Sequence, residues 1–389
     1  MRLLLFTDTL ADVNGVSRFV RNVAAQARDA GLELCVMTST RLPMPPGTNL
    51  RNFSPRYARA MPGYANLELA IPPLRRMLRE ARQARPDAVH VSTPGPVGFA
   101  GRLAAKRLGV PLLGVYHTDF PAYIDHLFAD DGLTWFCRAA MSRFYSPFHA
   151  VFTRSRDYAD SVAGLGVARE RIIPLRPGIR THDFHPRFRD EALWDSLDPL
   201  PSSSPRPCRV IYVGRVSVEK NLPLLARAWR QAEQALRARG TSARLLIVGD
   251  GPYRAQMERD LADTPARFLG FRHDDELARI YASSDLFVFP SLTDTLGQVV
   301  MEAQASGLPV LVADQGGPRE VVRGGATGLV LPGHDSGAWA RAVAALAADA
   351  PRRRAMGDAA HESMREYSME RSFEHFWSVH ERLARVAPG

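Results

Sequence analysis

The segment Asp294-Thr-Leu-Gly-Gln-Val-Val-Met-Glu302 sets two carboxylates eight positions apart. That spacing is near two helical turns, so both can lie on one side of a helix. Carboxylates accept hydrogen bonds in pairs, which suits the vicinal hydroxyls of a sugar or a ribose. Thr295, Leu296 and Gly297 stand where the helix would begin, after an apolar run at 286–290. Orphan backbone N–H groups and the helix dipole make such a start a phosphate site. The plainer alternative is an acid complementing the dipole, with a solvated Glu302. A second set is Gly214-Arg215-Val-Ser-Val-Glu-Lys220-Asn221, also after an apolar run. Gly214 admits a close backbone approach. Arg215 and Lys220 suit a diphosphate, one as a fork and the other as a point charge. Of the 50 basic residues 48 are Arg, and only Lys106 and Lys220 are Lys. Arg215 can therefore be one more surface arginine, whereas a lysine at this place points to function. Weaker signals are Gly15 in the first turn and the cluster Tyr116-His117-Thr-Asp119-Phe-Pro-Ala-Tyr123. Gly15 is also a plain turn glycine. His117 is suited to hold a sugar hydroxyl or to be a satisfied structural histidine.

These residues need elements that carry them to one edge. Strand-like runs at 3–6, 33–38, 88–92, 111–116 and 150–154 alternate with helical periods at 17–30 and 97–108. A second series begins near 209, with strands at 209–213, 245–248, 266–269, 286–290 and 309–313. Helices at 222–238, 253–261, 274–282 and 298–305 separate them, and 339–387 is helical by period. Such alternation predicts an α/β chain of two doubly wound parallel-sheet domains, with ligands at the carboxyl ends of the strands. The stretch Leu200-Pro-Ser-Ser-Ser-Pro-Arg-Pro207 is dense in turn formers. The expected division is a domain over 1–185, a linker over 186–207, a domain over 208–365, and a terminal helix over 366–389 returning toward the first.

Composition narrows the classes. A chain of 389 residues exceeds one ordinary core, and 46% hydrophobic with 23% charged residues is globular. The +9 charge lies wholly in residues 1–186, which hold 24 basic and 15 acidic residues against 26 and 26 thereafter. Basic motifs interleaved with aromatics are missing, so nucleic acid is not the expected partner. No apolar run spans a bilayer, and the short run at Met1–Phe6 lacks the core of a signal peptide. Three scattered cysteines make neither a disulfide framework nor a zinc site, and a reducing cytoplasm is expected. The stretch 74–85 sets Leu74, Met77, Leu78 and Ala81 against Arg75, Arg76, Arg79 and Arg82. It is read as either a packed helix with a solvated arginine face or a contact with anionic lipid.

With these residues in view, the chain resembles the retaining glycosyltransferases of family 4, which have the GT-B fold. The resemblance runs over essentially the whole length. Asp294 to Glu302 is similar to the family's E-x7-E element, with Asp in the first place. Gly214-Arg215 with Lys220 is similar to its diphosphate-binding G-R-x4-K. Gly249-Asp250-Gly251-Pro252 matches its G-[DE]-G-P turn, and Gly316-Gly317-Pro318 and Gly15 also fit. The resemblance implies two Rossmann-like domains facing across a cleft, the first for an acceptor and the second for a nucleotide sugar. It implies that Arg215 and Lys220 neutralise the leaving diphosphate, with the N–H groups after Asp294 assisting. Asp294 would bind hydroxyls of the transferred sugar and Glu302 the ribose. His117 would contact the sugar, and Gly15 would border the phosphates and acceptor. No cofactor or metal is expected; the donor is a UDP- or GDP-sugar. The loop from His117 through Asp119 to Tyr123 resembles that of enzymes making sulfoquinovosyl- or glycosyl-diacylglycerols and of mannosyltransferases. It implies a lipid-linked or glycan acceptor, with the protein cytoplasmic and peripheral on the membrane. Rival readings are a sugar-nucleotide epimerase of the same architecture, a nicotinamide-dependent dehydrogenase and a non-enzymatic binding protein. The dehydrogenase is disfavoured because Gly249-Asp-Gly251 is followed by Arg254 where a third glycine belongs.

Overall fold

Unbroken apolar strands can be buried only in a sheet covered on both faces. The computed structural model describes residues 1–386 apart from 13, 62–63, 129, 200–205 and 295. Side chains of 60–69, 123 and 126–128 are likewise not described. The chain forms two compact units, Met1–Arg176 with Ser372–Gly389, and Pro177–Arg371.

The first unit runs β1 (Arg2–Phe6), α1 (Gly15–Asp29), β2 (Glu33–Thr38), β3 (Leu50–Asn52), β4 (Tyr57–Met61), β5 (Tyr64–Ile71), α2 (Leu74–Ala84), β6 (Ala88–Val91) and α3 (Pro96–Leu108). It continues with β7 (Leu112–Tyr116), α4 (Phe120–Phe128), α5 (Asp131–Tyr145), β8 (Ala150–Thr153), α6 (Arg156–Gly164) and β9 (Ile172–Pro174). Seven strands make one parallel sheet in the order β3-β2-β1-β6-β7-β8-β9. The hairpin β4–β5 stands apart as a two-stranded antiparallel sheet. Helix starts are set by short polar side chains. Asn14 caps α1 by accepting from the N–H groups of Val16 and Ser17. Asp8, at the end of β1, accepts from Val97 and Gly98 at the start of α3 and from the Thr93 hydroxyl.

The second unit contains α7 (Glu191–Leu197), β10 (Cys208–Val213), α8 (Leu222–Arg237), β11 (Ala243–Val248), α9 (Arg254–Asp260), β12 (Ala266–Gly270), α10 (Asp274–Ala282) and β13 (Leu286–Phe289). It ends with α11 (Gln298–Ala305), β14 (Val310–Ala313), β15 (Gly328–Leu331), α12 (Ser336–Ala348) and α13 (Ala350–Met364). Its parallel sheet has the order β12-β11-β10-β13-β14-β15. In each sheet the first strand lies between the two directions of winding, the place where such folds bind ligands.

The division differs from the sequence reading. Residues 177–185, expected in the first domain, and 186–199, expected in the linker, belong to the second unit: Trp194 of α7 is 1% exposed in its core, with the Arg209 guanidinium over its ring. Residues 200–205 of the expected linker lie outside the described residues. The final helical stretch is two helices, α13 and α14 (Met369–Val386), with a 3-10 turn at Arg365–Tyr367 between them. From Ser372 onward the chain belongs to the first unit, where Phe373, Phe376, Trp377 and Val379 join the core. On α2, Met77 and Ala81 are fully buried and Leu78 half-buried, while Leu74 stays 40% exposed and the arginines face outward.

A buried histidine pair ties α14 to the sheet. His90 Nδ1 on β6 lies 2.9 Å from His380 Nε2, and His380 Nδ1 donates to the Phe376 carbonyl. His380 Nε2 is then the acceptor. A second proton on either ring would be buried without an anion to meet it, and burial pulls His380 from 6.5 down to about 4 and His90 in the same direction. As pH falls below 6.5 the unfolded chain gains protons that the folded pair refuses, so stability falls. Denaturant titration should show a loss of about 2 kcal/mol per histidine between pH 7 and pH 5. A His90→Leu/His380→Leu variant should lack that share of the slope; an unchanged slope would refute the assignment.

Candidate functional site

In the second unit the loops after β10, β11, β13 and β14 meet at the carboxyl edge of the sheet. Lys220 Nζ lies 2.6 Å from Asp294 Oδ2, joining residues 74 positions apart. Both side chains are about three-quarters buried, at 21% and 27% exposed. Lys220 ends a 3-10 turn, and the next residue, Asn221, sits in the left-handed region at φ 58°. The Asn221 amide donates to the carbonyls of Pro290 and Gly333, at 3.2 and 2.9 Å. That staple fixes the Lys220 turn against the end of β13 and the loop after β15. Motif spacing alone misses Asn221; its signal is a polar residue directly after the one placed lysine.

Close backbone approach explains the glycines. A Cβ on Gly249, at φ 124°, would lie 2.0 Å from the Gly214 carbonyl oxygen, and one on Gly251 2.5 Å from that of Val216. The two loops are thus pressed together backbone to backbone. Gly316, at φ 78°, faces the Asp294 carbonyl, which also accepts from Gly317 N–H at 2.8 Å. Pro318 fills the space against Gly297. The Gly316-Gly317-Pro318 turn therefore holds the loop that carries Asp294.

The helix after that loop begins at Gln298, as the sequence predicts, with Gly297 as its left-handed cap and no side chain capping it. Its first N–H donors thus centre on 297–299. Leu296 is half-buried against the core, and Thr295 lies outside the described residues. Asp294 meets Lys220, whereas Glu302, 7% exposed, accepts from the Tyr281 hydroxyl at 3.3 Å. Burial and that carboxylate push Tyr281 well up, so it stays a donor. Arg215 is 70% exposed and reaches Glu219 at 3.7 Å. Gly214 lies under the Tyr212 hydroxyl, which donates to the Arg215 carbonyl. Among the described residues no group of three or more His, Cys, Asp or Glu is arranged to hold a metal ion.

The first unit has its own polar edge. His117 Nε2 is 3.0 Å from Ser92 Oγ, and burial followed by the Arg154 charge pulls its pKa well down, so the ring is neutral. Asp119 accepts from the Tyr116 hydroxyl and the Ala122 N–H, at 3.0 and 3.1 Å. Through Oδ1 it anchors the start of α4. A Cβ placed on Gly15 would meet nothing within 4 Å, so the fold itself leaves that space open. The Tyr123 side chain lies outside the described residues.

Known proteins share both units. Residues 13–183 match the model of glycosyltransferase family 4, and residues 207–349 that of group 1 glycosyl transferases. The sulfoquinovosyl transferase SQD2 of Arabidopsis thaliana is 31% identical, over 94% of this chain and 70% of that protein. A GDP-mannose-dependent alpha-mannosyltransferase of Mycobacterium tuberculosis is 36% identical, over 83% and 81%. The crystal structure of Anabaena Alr3699/HepE in complex with UDP superposes with a TM-score of 0.75 at 16% identity, over 98% and 100%. Sequence and fold agree that the chain is an enzyme of the GT-B class and belongs to the family 4 (group 1) glycosyltransferases.

Proposed function

We propose that the enzyme transfers a hexosyl group, with retention and without a divalent metal, from a UDP- or GDP-hexose to a lipid-linked or glycan acceptor. The observation that carries this reading is the Lys220–Asp294 contact. A cation for a departing diphosphate and a carboxylate for sugar hydroxyls are held side by side at one sheet edge, 2.6 Å apart. The diphosphate takes Lys220 and draws in the exposed Arg215. Asp294, released from Lys220, accepts from hydroxyls of the transferred sugar. The N–H groups at the start of α11 add further donors, and Glu302 serves the ribose. The acceptor oxygen attacks the anomeric carbon on the face from which phosphate departs. The carbon–oxygen bond to phosphate breaks, and the acceptor proton passes to the leaving phosphate. Charge that develops on the diphosphate meets a preorganised cation, which lowers the barrier. The names of the relatives support both bases, GDP in a mannosyltransferase and UDP in a structural neighbour.

A contact with anionic membrane lipid follows the same reading. No helix among the described residues is long and apolar enough to cross a membrane. The face that α2 turns outward carries Arg75, Arg76, Arg79 and Arg82, all exposed. That favours an electrostatic contact over insertion of an apolar stripe.

Lys220→Ala should lower transfer from a UDP- or GDP-hexose by about 100-fold or more, with the fold intact. Wild-type transfer should persist in EDTA. Undiminished turnover in the variant would sink the role of Lys220, and strict metal dependence would sink the metal-free mechanism. Vesicles rich in anionic lipid should sediment the enzyme, and replacing Arg75, Arg76 and Arg79 with Glu should release it. Unaltered sedimentation of that variant would reject α2 as the contact.

A further inference from the structure

Three neighbouring strands of the first unit, β6, β7 and β8, bring Ser92, His117 and Arg154 to one edge. Arg154 follows the last residue of β8. Its guanidinium carbon lies 5.4 Å from the Phe19 ring centroid, and the His117 ring packs edge-on to the same ring at 5.2 Å. The Arg154 charge acts directly on His117. Two nitrogens here are sealed from solvent without a partner, Arg154 Nε and His117 Nδ1. Among the described residues no carboxylate pairs with Arg154. Asp119, in the neighbouring loop, is held by Tyr116 and Ala122. Tyr158 of α6 also acts on Arg154, but burial keeps it a neutral phenol.

The contrast with the second unit is direct. Arg209, 3% exposed, is met by Glu191 and Asp195. An interior guanidinium is costly unless paired, because its hydration has been removed. Burial brings Arg154 down to about 10, so it is still a cation at neutral pH. A cation at the ligand edge of a parallel sheet, kept without an internal anion, is completed by an external one.

We propose that Arg154, with His117 Nδ1 beside it, is an oxyanion-binding site, so that the substrate engaged here carries a phosphate, sulfonate or carboxylate. With Ser92 donating to His117 Nε2, Nδ1 carries the proton and becomes a second donor to that group. The guanidinium supplies the charge, and Phe19 holds its plane. Assigning the anion to a glycosyl acceptor or to the transferred sugar rests on the transferase reading; the anion site does not.

The test uses the full chain with saturating UDP or GDP, so that the diphosphate site is filled. Sulfate is then titrated at constant ionic strength and the melting temperature followed. Wild-type protein should show a saturable rise. Arg154→Gln should lose it or need at least about tenfold more sulfate, a change of 1.4 kcal/mol in binding. Arg154→Lys, which keeps the charge, should retain most of it and guards against a merely misfolded variant. An equal sulfate response in Arg154→Gln and wild type overturns the site. If neither nucleotide raises the melting temperature while the Arg154-dependent response persists, the proposed function fails and the anion site stands. In turnover, Arg154→Gln raising only the acceptor KM places the oxyanion on the acceptor, and raising only the donor KM places it on the sugar. Unchanged values for both overturn the substrate assignment.

Discussion

Lys220 and Asp294 meet at 2.6 Å because loops from neighbouring strands converge at one sheet edge. Each is three-quarters removed from water, and each supplies the charge that the other lacks. Without a ligand the pair neutralises itself, which makes a partly buried lysine tolerable at that place. A diphosphate competes for the lysine with two charges against one. On the proposed reading it frees the carboxylate at the moment a sugar needs hydrogen-bond acceptors. Donor binding and exposure of Asp294 are then one event rather than two.

That geometry depends on backbone contacts that side chains would forbid. The carbonyl of Gly214 lies where a Cβ on Gly249 would be, and the carbonyl of Asp294 lies beside the Cα of Gly316. Asn221 adds two donors that tie its loop to Pro290 and Gly333. The loop that carries Asp294 is further held by the Gly317 N–H and by Pro318 against Gly297. A side chain that must exchange partners gains from such a rigid frame, because only the side chain then moves. In the first unit, Asp8 does similar work by closing the start of α3 with its own carboxylate.

The two-unit α/β plan was legible because parallel strands are continuous apolar runs, and most of β1, β6, β7, β10, β11, β13 and β14 can be read that way. Lys220 was legible through the rarity of lysine. What escaped has physical reasons. The short α7 has a weak period, and a single buried Trp194 decides its place. The hairpin β4–β5 lies outside both main sheets, so βα alternation does not announce it. The spacing of Asp294 and Glu302 pointed to one shared face. Across the chain Asp294 meets Lys220 and Glu302 accepts from the Tyr281 hydroxyl, contacts that spacing within the segment does not foretell. Asp119 looked like part of a substrate loop, and one of its oxygens, Oδ1, also accepts from Tyr116 and from the Ala122 N–H at the start of α4. Periodicity carries burial; it does not carry which partner a polar group will find across the chain.

The two interior cations show how far that partner matters. Lys220 and Arg154 each sit just past the carboxyl end of a parallel strand, where both sheets open to ligand. Lys220 is answered by an aspartate, so the protein alone is electrostatically complete there. Arg154 lies over the Phe19 ring with His117 and Tyr158 nearby, none of them an anion. A guanidinium stacked on an aromatic ring keeps its orientation without a salt bridge, while its Nε stays unpaired. An internal carboxylate would have relieved that cost, at the expense of competing with any ligand oxyanion. Leaving the cation unanswered in the ligand-free protein makes the arriving anion the cheapest partner available, which is how a site selects charge rather than shape.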